Sequence, residues 1–367
     1  MNKYCSAVLL TLSHRTIQGG VEVYSHFLQR AFPALTILGQ EDIFQNQSIA
    51  IPFLREPLVG KHLAEIVIEK PSLPEIVFTS GMQGWALPSR EKKIPTISIM
   101  HGTFAGLAEN GFRRSPLQYW RMRHIFTFFE KRSAQNAHVC IANSAHTQRE
   151  LKKFYNVESR VIYPPIDTTL FKPGSQKAAR KKLEWKHNEK KHVLFVGNPT
   201  ESKGWDILLA LTERHSEIIF HTITIPHTPS VRENIVSHPP QSRENLVHFF
   251  RAADALIFPS RYEGFGFVPL EALASGCPVV SSRVGIFHEF TPKNAVITRT
   301  HSLDAFDTSL SDILEQKPRT NDYDKITKKF SFKQFSEKIL QTVAEAKKYN
   351  NSHMKESKLS QRMYNNE

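Results

Sequence analysis

Residues Ala255–Ser282 read ALIFPSRYEGFGFVPLEALASGCPVVSS: an apolar run, a glycine-rich loop, a helical pattern, a glycine–proline stop and a second apolar run. Neither apolar run alternates with polar residues, which is the pattern of strands covered by helices on both faces. Two such strands joined through one helix predict a β-α-β crossover, the connection that parallel strands require. Pro269 suits the first helical turn, and Gly276 followed by Cys277-Pro278 ends the helix. Glu271 is then expected in the first turn, where a carboxylate favours the helix dipole.

The same alternation runs through the chain. SAVLLT, EIVFT, TISIM and HVCIA read as strands in the first half, and HVLFVG, ALIF, PVVSS and AVIT in the second. Between them lie helical spacings. Tyr24, Phe27, Leu28, Ala31 and Phe32 form one stripe, and Phe335, Ile339, Val343 and Ala346 another. Pro164, Pro165 and Pro173 interrupt regular structure, and the basic tract from Lys177 to His192 reads as surface or linker. The expected architecture is α/β, with two doubly wound domains: residues 1–168, and residues 169–330 opening on VLFVG. A terminal helix over 331–348 precedes a basic tail, 349–367, that lacks periodicity and is expected to be disordered.

The 367 residues suffice for two domains, and 40% of them are hydrophobic, as in globular proteins. No run reaches the roughly eighteen apolar residues of a spanning helix. The apolar stretch near the N-terminus is too brief for a secretory leader and reads as the first buried strand. Cys5, Cys140 and Cys277 are scattered in apolar runs, which favours buried thiols in a reducing cytoplasm over disulfides or a metal site. A net charge of +13 fits nucleic acid, an anionic membrane or a phosphorylated substrate equally well. Residues 111–132, GFRRSPLQYWRMRHIFTFFEKR, interleave Arg113, Arg114, Arg121 and Arg123 with Trp120, Phe126, Phe128 and Phe129. Such a mixture serves membrane docking or nucleic-acid stacking, or simply buries its aromatics beneath solvated arginines. On a helical wheel the aromatics scatter.

Open α/β sheets bind ligands at the carboxyl ends of their strands. After the first strand, Gly19-Gly20 opens a helix whose amides can meet an anion; a plain loop is the simpler reading. His101 follows TISIM directly, as a cleft histidine or a structural one. Lys203 precedes the helix marked by Trp205, Leu208 and Leu209, either as a phosphate partner or as a surface lysine. Glu263 opens the glycine loop.

The segments GGVEVYSHFLQRAF, VIYPPIDTTLFKP, LFVGNPTESKGWDILLA and FPSRYEGFGFVPLEALASGCPVVSSRVGIFHEF resemble the retaining glycosyltransferases of family 4. That resemblance implies the GT-B fold, two Rossmann-like domains facing a cleft, with the last helix crossing back to the first domain. It also implies a UDP- or GDP-sugar donor and no required cofactor or metal. Gly19 and Gly20 would face the donor phosphate and sugar, and His101 the reacting sugar. Lys203 would neutralise the diphosphate, Glu263 meet the hexose and Glu271 hold the ribose hydroxyls. Phe265, Gly266, Phe267 and Val268 would offer backbone groups. Asn198, also a donor-side position, stands with Pro199 where the family carries an arginine; Arg232, Arg243 and Arg261 are the bases that can substitute. The acceptor expected is a glycan or glycolipid of the cell envelope, met at the inner face of an anionic membrane through Arg113, Arg114, Trp120, Arg121 and Arg123, with no nucleic acid. Two other readings stay open: a non-catalytic GT-B scaffold, and a basic nucleic-acid-binding protein.

Overall fold

The structure is a computed structural model that describes residues 6–14, 19–43, 52–70, 72–88, 94–315 and 322–364, the last of these with side chains only to 348. Cys5 lies outside the described residues. The chain divides into two compact units. One comprises Met1–Ala108, Ser115–Pro164 and Phe332–Glu367; the other comprises Glu109–Arg114 and Pro165–Ser331.

The first unit holds strands β1 (Ala7–Leu10), β2 (Leu35–Leu38), β3 (Ile76–Ser80), β4 (Thr96–Met100), β5 (Val139–Ala142) and β6 (Arg160–Val161). They form one sheet in the order β2-β1-β3-β4-β5-β6, every neighbouring pair parallel. β1, β3 and β4 are buried along their whole length, including Thr79, Ser80, Thr96 and Ser98 in the latter two, as strands covered on both faces are. Val8, Leu10 and Val77 pack against Val59, Leu63 and Val67 of the helix Arg55–Ile68.

The second unit holds β7 (His192–Val196), β8 (Ile219–Ile223), β9 (Ile235–His238), β10 (Ala255–Phe258), β11 (Val279–Ser282) and β12 (Ala295–Thr298). This sheet is also parallel throughout, in the order β12-β11-β10-β7-β8-β9. The eight strands expected from apolar runs are all present. β2, β6, β8 and β9 join them. Phe195, Phe220, Ile257 and Val280 meet Leu208, Leu211, Phe306 and Leu310 from the covering helices.

Two expectations change. The basic tract is largely surface, as one of its two readings had it, but it is not a linker: Gln176–Lys182 is a helix, and Arg180 bonds Asp254 (2.8 Å) and the Ala252 carbonyl (2.9 Å). Trp185 beyond it is buried, stacked on His221 with centroids 3.6 Å apart. His221 lies in a row of three histidines across β7, β8 and β9. His192 Nδ1 is 2.9 Å from His221 Nε2, and His221 Nδ1 is 2.9 Å from His238 Nε2. The last helix, Phe332–Tyr364, also continues past residue 348, because its second half contains neither glycine nor proline and is rich in good helix formers. Cys140 and Cys277 are both buried as thiols, and burial pushes the Cys277 thiol far up.

The terminal helix belongs to the first unit's core. Phe335, Ile339, Val343 and Ala346 are all buried, and the Phe335 ring meets Tyr24 edge-on at 5.3 Å. Arg160 fastens the helix through Glu345 (2.6 Å) and Thr342 (3.3 Å). Phe335→Ala is therefore expected to cost about 3–5 kcal/mol, the usual price of emptying a buried phenylalanine site. Urea denaturation measures it, and a loss below about 1 kcal/mol would contradict this packing.

Candidate functional site

In the second unit, the chain leaving β10 makes the loop Pro259–Gly266 and enters the helix Phe267–Ala274. Gly266 sits at φ 98°, a left-handed conformation that side chains rarely adopt, and so turns the loop sharply into the helix. The first amides of the helix lack intrahelical acceptors, and Pro269 has no N–H to leave unpaired. The Phe265 carbonyl accepts from the Ile286 amide (2.8 Å), which ties this loop to the segment after β11.

Lys203 and Glu263, sixty residues apart, meet here: Nζ to Oε1 is 2.7 Å, and the Ser260 hydroxyl donates to the same oxygen (2.9 Å). Lys203 ends a short 3-10 turn, Glu201–Lys203, before the helix Trp205–Arg214. Gly204 between them has φ 75°, and a Cβ there would lie 2.0 Å from the Pro259 carbonyl oxygen. Only glycine allows this approach.

Glu271 is the fifth residue of its helix, so the expectation of a first-turn position is corrected and the dipole no longer accounts for it. The helix begins at Phe267, so Pro269 keeps its expected place in the first turn while Glu271 falls beyond it. Glu271 is only 2% exposed and is ion-paired with Arg243, whose Nη2 lies 2.8 Å from Oε1. Burial raises its carboxyl; the Arg243 charge opposes this and Asp167 reinforces it. Arg243 also lies over the Phe171 ring (4.9 Å). The partner was among the bases named from sequence, but for a different role. Arg232 is paired with Glu213, and Arg261 with Asp206. Asn198 is exposed at the end of the β7 exit.

In the first unit, Gly19 caps the helix Gly20–Ala31, and the Glu22 carboxylate folds back to its backbone. The helix start is thus occupied by its own acid. Tyr24, one turn beyond Gly20 on that helix, meets the His101 ring edge-on at 5.0 Å. His101 follows β4, and its Nε2 is 3.0 Å from the Ser80 hydroxyl. Burial of the ring lowers it to about 4, so it is neutral near pH 7.

The tract 111–132 resolves into two faces. Leu117, Trp120 and Phe128 are exposed (71, 50 and 58%), as is His124. Their spacing of three, four and four residues makes one stripe along the helical run. Phe126 is buried, and Phe129 packs on Trp85 at 4.7 Å. Arg121 is corrected from the membrane list: it is tied to Glu56 (3.3 Å) and lies over Phe126 and Phe53. Arg123 turns toward Phe154. Arg113 is exposed, and Arg114 belongs with the second unit, where it approaches Glu201 (3.5 Å) and Asp206 (3.9 Å).

Sequence reasoning missed two buried acids beside His101. Glu130 accepts from the Phe104 amide (2.8 Å) and the Tyr155 hydroxyl, and Glu150 accepts from Thr103 (2.9 Å). The Phe126–Glu130–Ala134 spacing carried the signal, since it puts Glu130 on a buried face. Among the described residues no cluster of three or more His, Cys, Asp or Glu is arranged to hold a metal. Burial, with the nearby Glu150 charge, pushes Glu130 up to about 7 against the Tyr155 and Phe104 bonds. A raised carboxyl stabilises fully below its unfolded value near 4.5, and the contribution is lost as pH rises through about 7. Glu130→Gln should therefore gain roughly 1–3 kcal/mol over the parent at pH 8 and nothing at pH 4.5, as thermal unfolding at both values would show. An equal effect at both would refute the assignment.

Residues 53–170 match the model of Glycosyltransferase Family 4, and residues 229–330 that of Glycosyl transferases group 1, more than half of the chain between them. The D-inositol 3-phosphate glycosyltransferase of Mycolicibacterium gilvum is 28% identical over 264 residues, 66% of this chain and 58% of the relative. The chain thus spans little more than half the length of the curated relatives it matches. Anabaena HepE in complex with UDP and glucose superposes with a TM-score of 0.70 at 14% identity, over 93% of this chain and 100% of that one. Sucrose-phosphate synthase of Thermosynechococcus elongatus gives 0.68 at 16%, over 98% and 99%. At such identities these two structures speak for the fold alone. With one family model on each part of the chain and two parallel six-stranded sheets beneath them, the protein belongs to the group 1, family 4 glycosyltransferases and has their GT-B fold.

Proposed function

We propose that the protein transfers a hexosyl unit from a UDP- or GDP-sugar to an acceptor hydroxyl with retention of anomeric configuration. The observation that carries this reading is the loop between Glu263 and Glu271. One end holds Lys203 against Glu263, and the other holds the buried Glu271 carboxylate against Arg243. Between them lie helix-start amides. A carboxylate has acceptor sites beyond the one that Arg243 meets, and these are matched to ligand hydroxyls such as those of a ribose. Lys203 and the amides are matched to the diphosphate, whose negative charge grows as the glycosyl–phosphate bond breaks. The two acids then grip hydroxyls at opposite ends of the donor, away from its phosphates. Neutral His101 suits the sugar hydroxyls, and the leaving phosphate oxygen would take the acceptor proton. The UDP and glucose named for HepE fit a donor of this class.

The acceptor proposed is a lipid-linked or cell-envelope glycan, reached from the cytoplasmic face of an anionic membrane. Among the described residues no helix is long and apolar enough to cross a membrane. Docking would use Leu117, Trp120 and Phe128, with Arg132 exposed nearby in sequence for lipid phosphates.

A thermal-shift screen with UDP and GDP, then mass-detected transfer from the better donor, tests the activity. Lys203→Ala should lower kcat by about 10²–10³, and Glu271→Ala should abolish the nucleotide-induced shift. Nucleotide binding without transfer or donor hydrolysis would favour the non-catalytic scaffold. For the membrane reading, Trp120→Ala/Phe128→Ala should lose most co-sedimentation with phosphatidylglycerol vesicles; unchanged binding would remove that face from consideration.

A further inference from the structure

The Lys203 turn is held from both sides by one residue of the facing loop. The Arg261 amide donates to the Ser202 carbonyl (2.8 Å), and its guanidinium reaches the Glu201 carbonyl. The same guanidinium grips Asp206 in parallel, Nη1 to Oδ1 and Nη2 to Oδ2, each at 2.7 Å. Glu201 and Ser202 precede Lys203, whereas Asp206 opens the helix after it. A planar fork can span both sides of a turn in this way, but a lysine ammonium cannot.

Other contacts converge on the same place. Gly204 lies against the Pro259 carbonyl, which also meets His301 Nε2 at 2.7 Å. Burial alone would raise the Asp206 carboxyl, yet the bonds and charge of Arg261 hold it below the usual range. Arg114 is the other cation near Asp206, at 3.9 Å and largely exposed. The Arg261 side chain is 13% exposed and both of its terminal nitrogens are engaged, so it is not spare for a phosphate.

We propose that Arg261 is a positioning residue: through Asp206 and the Glu201–Ser202 backbone it fixes Lys203 beside Glu263 for the donor diphosphate. Arg261 therefore does not replace the arginine missing at Asn198; it sets where the remaining cation stands. The inference rests on the reading of Lys203 as the diphosphate partner.

The test compares UDP with uridine, which lacks phosphate, by calorimetric titration of the full chain. Arg261→Met should weaken UDP about five- to tenfold and leave uridine unchanged. Asp206→Asn, a milder change that keeps the arginine, should act in the same direction and serves if the first variant folds poorly. Combined with Lys203→Ala, Arg261→Met should add nothing, because it acts through that lysine. Arg261→Lys should fail to restore UDP affinity, since it keeps the charge without the fork. Equal losses for UDP and uridine, or additive losses with Lys203→Ala, would overturn the proposal. If Lys203→Ala itself leaves UDP affinity intact, the reading of Lys203 fails first and the inference fails with it. If Lys203→Ala weakens UDP but Arg261→Met does not, only the positioning role is wrong.

Discussion

Parallel pairing is the constraint on which the rest of this protein depends. Neighbouring strands that run the same way must be joined by a crossover, so every strand in a sheet delivers its carboxyl end to one edge. In the first unit that edge receives His101 from β4. In the second it receives the Lys203 turn from β7 and the Glu263 loop from β10, which are neighbours in the sheet although sixty residues apart in the chain. The ion pair between them is a product of topology.

The second unit keeps its charges in fixed pairs. Glu271 is buried beside Arg243, Lys203 meets Glu263, and Arg261 meets Asp206. Removing one member of a buried pair leaves the other uncompensated, which costs far more than the pair contributes. On the proposed reading, the Lys203–Glu263 contact is the one that the donor diphosphate would join.

Much of the fold was legible because burial on both faces writes continuous apolar runs, as in AVLL and ALIF. The strands missed had weaker signatures. β6 has two residues, β2 buries only Leu35, and β8 carries His221 and Thr222 within its apolar run. At the site, Lys203, Glu263 and Glu271 stood out by spacing and by resemblance. What the sequence concealed was pairing. Arg243 with Glu271, Arg261 with Asp206, and Glu130 with Tyr155 lie far apart in the chain, and only the folded sheets bring them together.

The row of histidines across β7, β8 and β9 has a polarity. His192 Nε2 faces the His187 carbonyl, which can only accept, so that nitrogen carries the proton and Nδ1 accepts from His221. His221 Nδ1 in turn accepts from His238, and all three rings are held neutral in the same tautomer. An extra proton on His192 or His221 would set two donors face to face. Burial, aided by the neighbouring histidines, accordingly lowers His221 to about 2. Its contribution is whole above the unfolded value near 6.5 and drains away as pH falls toward 2. The β7–β8–β9 end of this sheet thus carries a contribution to stability that acid erodes.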